Sequence, residues 1–225
     1  MTTWYPIELV CPVCETTFTS NSIGSCGHAS KRTDFRPNYW GFNPVRFFYH
    51  NCPECGFCAP YKYYQSKFEN PAFREEIESL GPLPELDFFT GLEVKLERAM
   101  VCLETMNDFG IISLNEYDLA NYWIEAYWWA KNPNLIQKCG EIVLQYFNRA
   151  LEKNLIPEEM IFQINYLIAE IHRRIGHEER ANELFNEVIS LTKDEVELEW
   201  IYKLAVQQKT SPQEDFPSTN IKVLI

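Results

Sequence analysis

Two Cys-Pro-x-Cys pairs, Cys11-Pro12-Val13-Cys14 and Cys52-Pro53-Glu54-Cys55, constrain this chain more than any other feature. A tight turn that presents two thiolates to one ion needs a two-residue spacer. Proline after the first Cys presets that turn, and glycine after the second tolerates a left-handed backbone. The second pair has both, ending in Gly56; the first has Glu15 where glycine is expected. Four such thiols read as one tetrahedral zinc site with Cys11, Cys14, Cys52 and Cys55 as ligands. A site with four thiolate ligands is coordinatively closed, so its expected work is folding rather than activation of water. A redox dithiol is the weaker reading, because such pairs sit between a strand and a helix.

The 37 residues between Cys14 and Cys52 exceed the usual ribbon spacing, so the insertion must form structure of its own. Pro6–Val10 reads as a strand entering the first pair and Val45–His50 as a strand entering the second. Residues 1–66 are set apart as a small zinc-ribbon-like module. They carry four acidic side chains (Glu8, Glu15, Asp34, Glu54) and five basic ones (Lys31, Arg32, Arg36, Arg46, Lys62), a net +1; since the chain carries −12, the remainder holds −13.

From Asn70 the pattern becomes helical. Asn70-Pro71 opens a short helix ending near Gly81. Capping-box spacing recurs at Thr90-Gly91-Leu92-Glu93 and at Ser113-Leu114-Asn115-Glu116, the second before a helix to about Lys131. Asn132-Pro133 opens another helix, Pro157 one that stops at Gly176, and two more run over about 178–191 and 194–208. Short connections between helices of this length imply antiparallel hairpins. Asn165, Ile168, Ala169 and His172 stand where a tetratricopeptide repeat has Trp, Leu, Gly and Tyr, and Ala181-x3-Phe185 matches its second helix. Phe147 and Ala150 echo that unit 38 residues upstream. The expected fold is α+β and mostly α: a module over 1–66, a tetratricopeptide-like antiparallel array over 67–209, and a flexible tail over 210–225.

Function is bounded more than named. A net charge of −12 argues against strong binding to nucleic acid or to anionic membranes. No apolar stretch is long enough to span a bilayer. Without a secretion signal, eight cysteines read as ligands or free thiols in a reducing cytoplasm. Cys26, His28, His50 and Cys58 are candidates for a second metal site and, with an open position, for a metal-dependent enzyme; the blander reading makes them core and polar positions. The aromatics of the module, interleaved with Lys31, Arg32, Arg36 and Arg46, are candidates for stacking single-stranded bases, against the blander reading as core. The run Tyr122–Trp129 is apolar on nearly every face, as in a helix buried on several sides, though some rings could line a peptide groove. No phosphate loop or motif-defined nucleophile is present. The expected role is a zinc-stabilised interaction or adaptor protein with a protein partner, not an enzyme.

With these residues in view, the chain resembles a bacterial domain-of-unknown-function family that pairs a CPxC…CPxCG segment with a tetratricopeptide-like helical region. Its Asp-Phe, Tyr and Asn-Pro between the Cys pairs are matched here by Asp34-Phe35, Tyr39 and Asn43-Pro44. The resemblance covers about residues 8–195 and implies architecture, since the family carries no established activity.

Overall fold

The computed structural model describes residues 2–84 and 91–216. Among them are six strands, three short antiparallel pairs, and seven α-helices. Strands β1 (Thr3–Val10) and β2 (Thr17–Ser25) form a hairpin in register from Thr3 opposite Ser25 to Val10 opposite Thr17, with the first Cys pair at its tip. Strands β3 (His28–Lys31) and β4 (Pro37–Tyr39) make a second hairpin inside the insertion. Strands β5 (Tyr49–Asn51) and β6 (Cys58–Pro60) make a third, with the second Cys pair at its tip.

The strand expected over Val45–His50 is shorter than its apolar run. Asn43 accepts a hydrogen bond from the Val45 N–H (3.1 Å), and Pro44 presets φ, so Pro44–Phe47 turns as a 3-10 helix. Extended backbone begins only at Tyr49.

Helix α1 (Pro71–Ser79) starts as its Asn-Pro pair implies: the Asn70 side chain accepts from the Phe73 N–H at 3.2 Å. Helix α2 (Leu92–Asp108) has Gly91 at its N-cap, and Thr90 of the expected capping box lies outside the described residues. Helix α3 (Glu116–Trp129) has a capping box, set two residues later than the Ser113 reading. Asn115 and Asp118 exchange the two bonds, at 2.9 and 3.1 Å, because the helix begins only at Glu116. Helix α4 (Pro133–Glu152) is capped by Asn132. Helices α5 (Ile161–Arg174) and α6 (Glu178–Thr192) form an antiparallel hairpin that turns at Gly176, φ +86°. Helix α7 (Glu199–Thr210) follows a 3-10 turn at Val196–Leu198 and packs on α6 and α5.

The chain is α+β and mostly α. One apolar core runs from Leu9 in β1 through the knuckles to Ala205 in α7. Helix α3 is buried as its sequence implies: Trp123 and Tyr127 are 2% and 3% exposed, between α2, α4 and the insertion. Ala169, Ala181 and Phe185 are buried in the α5–α6 hairpin, with Tyr166 against Phe185 at 6.0 Å between ring centres. Residues 211–216, read from sequence as the start of a flexible tail, lie along the insertion instead. The Thr33 N–H donates to the Glu214 carbonyl (2.8 Å) and the Phe216 N–H to the Lys31 carbonyl (3.2 Å), while the Phe216 ring stacks on Phe35. Backbone pairing and a buried aromatic contact outweigh the local preference of prolines and polar residues for open chain.

Candidate metal centre

Each Cys pair closes a turn of the same form. The Cys11 N–H donates to the Thr16 carbonyl (2.9 Å) and the Glu15 N–H to the Cys11 carbonyl (3.0 Å). The Cys52 N–H donates to the Phe57 carbonyl (2.8 Å) and the Gly56 N–H to the Cys52 carbonyl (3.1 Å). Both turns need a left-handed residue after the second Cys. Gly56 supplies it at φ +74°, and Glu15 adopts it at φ +62° despite its Cβ. These hairpin tips face each other. The Sγ atoms of Cys11, Cys14, Cys52 and Cys55 all lie within 4.8 Å of one another. Across the site, Cys11 is 3.6 Å from Cys55 and Cys14 is 3.5 Å from Cys52. A tetrahedral ion at the usual metal–thiolate distance sets its sulfurs about 3.8 Å apart, so the cluster has the right size.

The thiols of Cys11, Cys52 and Cys55 also perturb one another. Hydrogen bonds from Cys11 and Cys55 pull the Cys52 thiol down. The contact with Cys52, with burial, pushes Cys11 up, and the contacts with Cys11 and Cys52, with burial, push Cys55 up. A divalent ion would stabilise all four as thiolates. The residues therefore fit a metal ion of thiolate preference.

The centre is tied to the helices. Arg98, in α2, donates to the carbonyls of Gly81 (2.7 Å), Leu80 (3.2 Å) and Gly56 (3.3 Å). A Cβ at Gly56 would lie 2.1 Å from the Gly81 oxygen. Glycine at 56 thus serves both the positive φ and the closeness of the α1–α2 connection.

The candidates for a second site are held apart. His50 Nδ1 is 2.8 Å from Ser20 Oγ; burial, with Lys95 nearby, lowers its pKa to about 4, so the ring is neutral. The Cys58 thiol points to the Lys95 carbonyl (3.6 Å), and burial raises its pKa to about 12. His28 packs edge-on to Tyr39, and Cys26 is exposed. Among the described residues no second group of three or more metal-ligating side chains gathers. The module's aromatics divide: Phe35, Phe47, Tyr49, Phe57 and Tyr64 are buried, whereas Trp4, Tyr5, Trp40 and Tyr61 are 46–55% exposed. Arg36 lies over Trp129 at 5.1 Å and is occupied against α3.

A buried polar cluster, only partly suggested by sequence, joins the insertion to the helices. Asp34 is fully buried; it receives the Arg32 guanidinium on both oxygens, and the Arg36 N–H at 3.3 Å. Thr33 Oγ1 donates to Glu170 (2.9 Å), and Tyr166 donates to the Thr33 carbonyl (2.9 Å). Arg173 and Arg174 both pair with the buried Glu170 at 2.7–2.8 Å, and Arg174 with Glu214 at 2.9 Å. Burial opposes the Arg174 charge, but Asp34 and Glu170 outweigh it and raise its pKa. Phe35, at φ +69°, buries its ring against Tyr166 and Trp200. Asp34 and Phe35 stand out in sequence only as part of a family pattern; Thr33, Glu170 and Arg174 carry no local signal.

One family model, described as an uncharacterized protein conserved in bacteria (DUF2225), matches residues 5–211. The chain belongs to this family. The DUF2225 match spans both knuckles, the insertion and the seven helices described, so the metal centre and Thr33, Asp34, Glu170 and Arg174 of the buried polar cluster lie inside the matched span, while Glu214 lies beyond it. No curated protein and no solved structure is matched by this chain. No helix among the described residues is long and apolar enough to cross a membrane.

Proposed function

We propose that the chain is a zinc-stabilised protein-interaction module of a reducing, cytoplasmic compartment, with no catalytic role for its metal. The observation that carries this reading is the donor set: four cysteine sulfurs, three of them on buried residues, from two facing hairpins. Thiolates select zinc over hard cations, and four of them leave no position for water or substrate. Zinc here replaces apolar core, pinning a module whose strand pairs are too short to stand alone. The helical hairpins behind it are read as a tetratricopeptide-like array, in which stacked helix pairs build a binding face.

Support for a protein partner comes from the module's exposed rings. Trp4 and Trp40, 48% and 55% exposed, flank Thr2, whose hydroxyl bonds the Trp40 and Phe42 carbonyls. Trp4 is held by Phe47 and Phe42 at 5.4 and 5.5 Å. Rigid, half-exposed tryptophans are common anchors of protein interfaces.

The test has two parts. Elemental analysis of protein purified without added metal should give one zinc per chain; none, or two, would overturn the structural reading of the site. Cross-linked capture from the native host should then recover a protein that the Trp4→Ser/Trp40→Ser double variant loses. Equal recovery by both would remove the proposed interface.

A further inference from the structure

A cavity of about 250 Å³ opens where the insertion meets the end of α3, the start of α4 and the end of α5. Arg32, Arg173, Arg174 and Tyr127 line it, and Trp128, Ala130 and Ile136 supply its apolar wall. The carboxylates that pair with Arg32 and Arg173 sit behind them. Asp34 accepts from Nε and Nη2 of Arg32, Glu170 accepts from Nε and Nη2 of Arg173 at 2.8 Å, and neither carboxylate is part of the cavity wall. A guanidinium carries five N–H donors on three nitrogens, so Arg32 and Arg173 each keep Nη1 for a further acceptor. Arg174 is fully engaged by Glu170, Glu214 and Thr33 and adds only its charge.

Tyr127 belongs to the same set of donors. It is 3% exposed, yet among the described residues its hydroxyl has no hydrogen-bond partner. Burial and the nearby Asp34 raise its pKa, so the phenol stays protonated and can donate. A nearly buried hydroxyl on a cavity wall is then available to an acceptor that enters the cavity. The local field has the matching sign. Burial and the Arg32 charge lower the Arg36 pKa, and that guanidinium reaches the Trp128 carbonyl at 3.4 Å. Glu214 is the acidic side chain on the wall; it is 71% exposed, so it can turn to water. Residues 217–225, which follow it closely, hold no Asp or Glu.

The donors decide the class of anion, because they come from three elements: Arg32 from the insertion, Tyr127 from α3 and Arg173 from α5. A tetrahedral oxyanion turns oxygens towards several sides at once, and guanidinium groups match its edges. A carboxylate has two oxygens in one plane and would leave one of these donors unpaired. We propose that this cavity binds a phosphate group, free or carried on a small monoester, held by Arg32 and Arg173 and by the Tyr127 hydroxyl, with Ala130 and Ile136 beside any carbon that it carries. An occupied cavity would tie the insertion to α3 and α5 through one ligand.

Inorganic phosphate is the probe, added to the full metal-loaded chain at constant ionic strength and followed by arginine Nε–H and backbone amide resonances. Saturable shifts are expected at Arg32, Tyr127 and Arg173. Tyr127→Phe removes only the hydroxyl and should weaken phosphate about tenfold, the scale of one hydrogen bond to a charged group. Arg173→Gln leaves Arg174 and Thr33 on Glu170; it should weaken phosphate at least as much, and it stands as the test if Tyr127→Phe does not fold. Tighter binding of glycerol phosphate than of inorganic phosphate would support a monoester as the occupant, and binding no tighter would support free phosphate. The proposal is overturned if phosphate gives no saturable shift at concentrations on the order of 10 mM, if both variants bind like wild type, or if acetate binds as tightly.

Discussion

Glu15 and Gly56 occupy equivalent places in the two knuckles and meet different demands. Glu15 adopts a left-handed backbone that costs a side-chain-bearing residue about 1 kcal/mol. Its ion pair with Lys67 is exposed on both sides and contributes little. Glu15→Gly should therefore stabilise the protein by about 0.5–1 kcal/mol in denaturant titration, and a loss would show that the Lys67 contact matters more than the backbone. Gly56→Ala meets both the positive φ and the Gly81 oxygen at 2.1 Å, so it should destabilise by about 3 kcal/mol or more and loosen the metal. A variant that melts like wild type would mean that the α1–α2 connection yields freely. The pair His172 and His177, Nδ1 to Nδ1 at 3.1 Å, makes a prediction in pH. Burial, with His177 and Arg180 nearby, lowers His172 to about 4. A base with a depressed folded pKa takes up protons more readily when unfolded, so its stability contribution is lost as pH falls from about 6.5 towards 4. Between pH 7 and pH 5 wild type should lose more stability than His172→Gln, by well under about 2 kcal/mol because solvent screens these partly exposed rings. Acid release of metal is common to both chains and cancels in that comparison.

At the scale of elements, legibility followed the range of the interactions. Asn70-Pro71 and Asn132-Pro133 announced their helices because a cap is completed within three residues. The box at Asn115 was misplaced because Ser113 offers the same spacing two residues earlier. Strand β2, Thr-Phe-Thr-Ser-Asn-Ser-Ile-Gly-Ser, has little apolar alternation; pairing with β1 makes it a strand, not its own composition. The Cys quartet could be read because its spacing is itself the geometry. Thr33 could not, because its partners Glu170 and Glu214 lie 137 and 181 residues away. That latch makes its own prediction. Asp34→Ala leaves Arg32 and Arg174 without a shared buried carboxylate and should cost about 3–5 kcal/mol. Tryptophan fluorescence should report the release, since Trp128 Nε1 donates to the Asp34 carbonyl at 3.1 Å. A cost below about 1 kcal/mol would mean that water reaches these charges.

For the whole molecule, the Arg98 clamp and the continuous core join the metal centre to the helices. Removing the metal should therefore lower the melting temperature of the helical signal as well as that of the strand pairs. Cys52→Ser should do the same, with loss of a large part of a metal contribution on the order of 10 kcal/mol. Unchanged helical melting after chelation would show two independent units.

The seat of the Asp34 loop also has a bearing on synthesis. Both knuckles leave the ribosome well before Tyr166, Glu170, Arg174 and the 213–216 segment, and can close before these partners arrive. Until then, the nascent N-terminal module carries an open aromatic socket and a carboxylate neutralised only by its neighbour Arg32. A chain ended at Thr210 should thus keep its metal yet expose Phe35 to limited proteolysis, and resistance equal to the full chain would show that the late segment is not needed to close the socket.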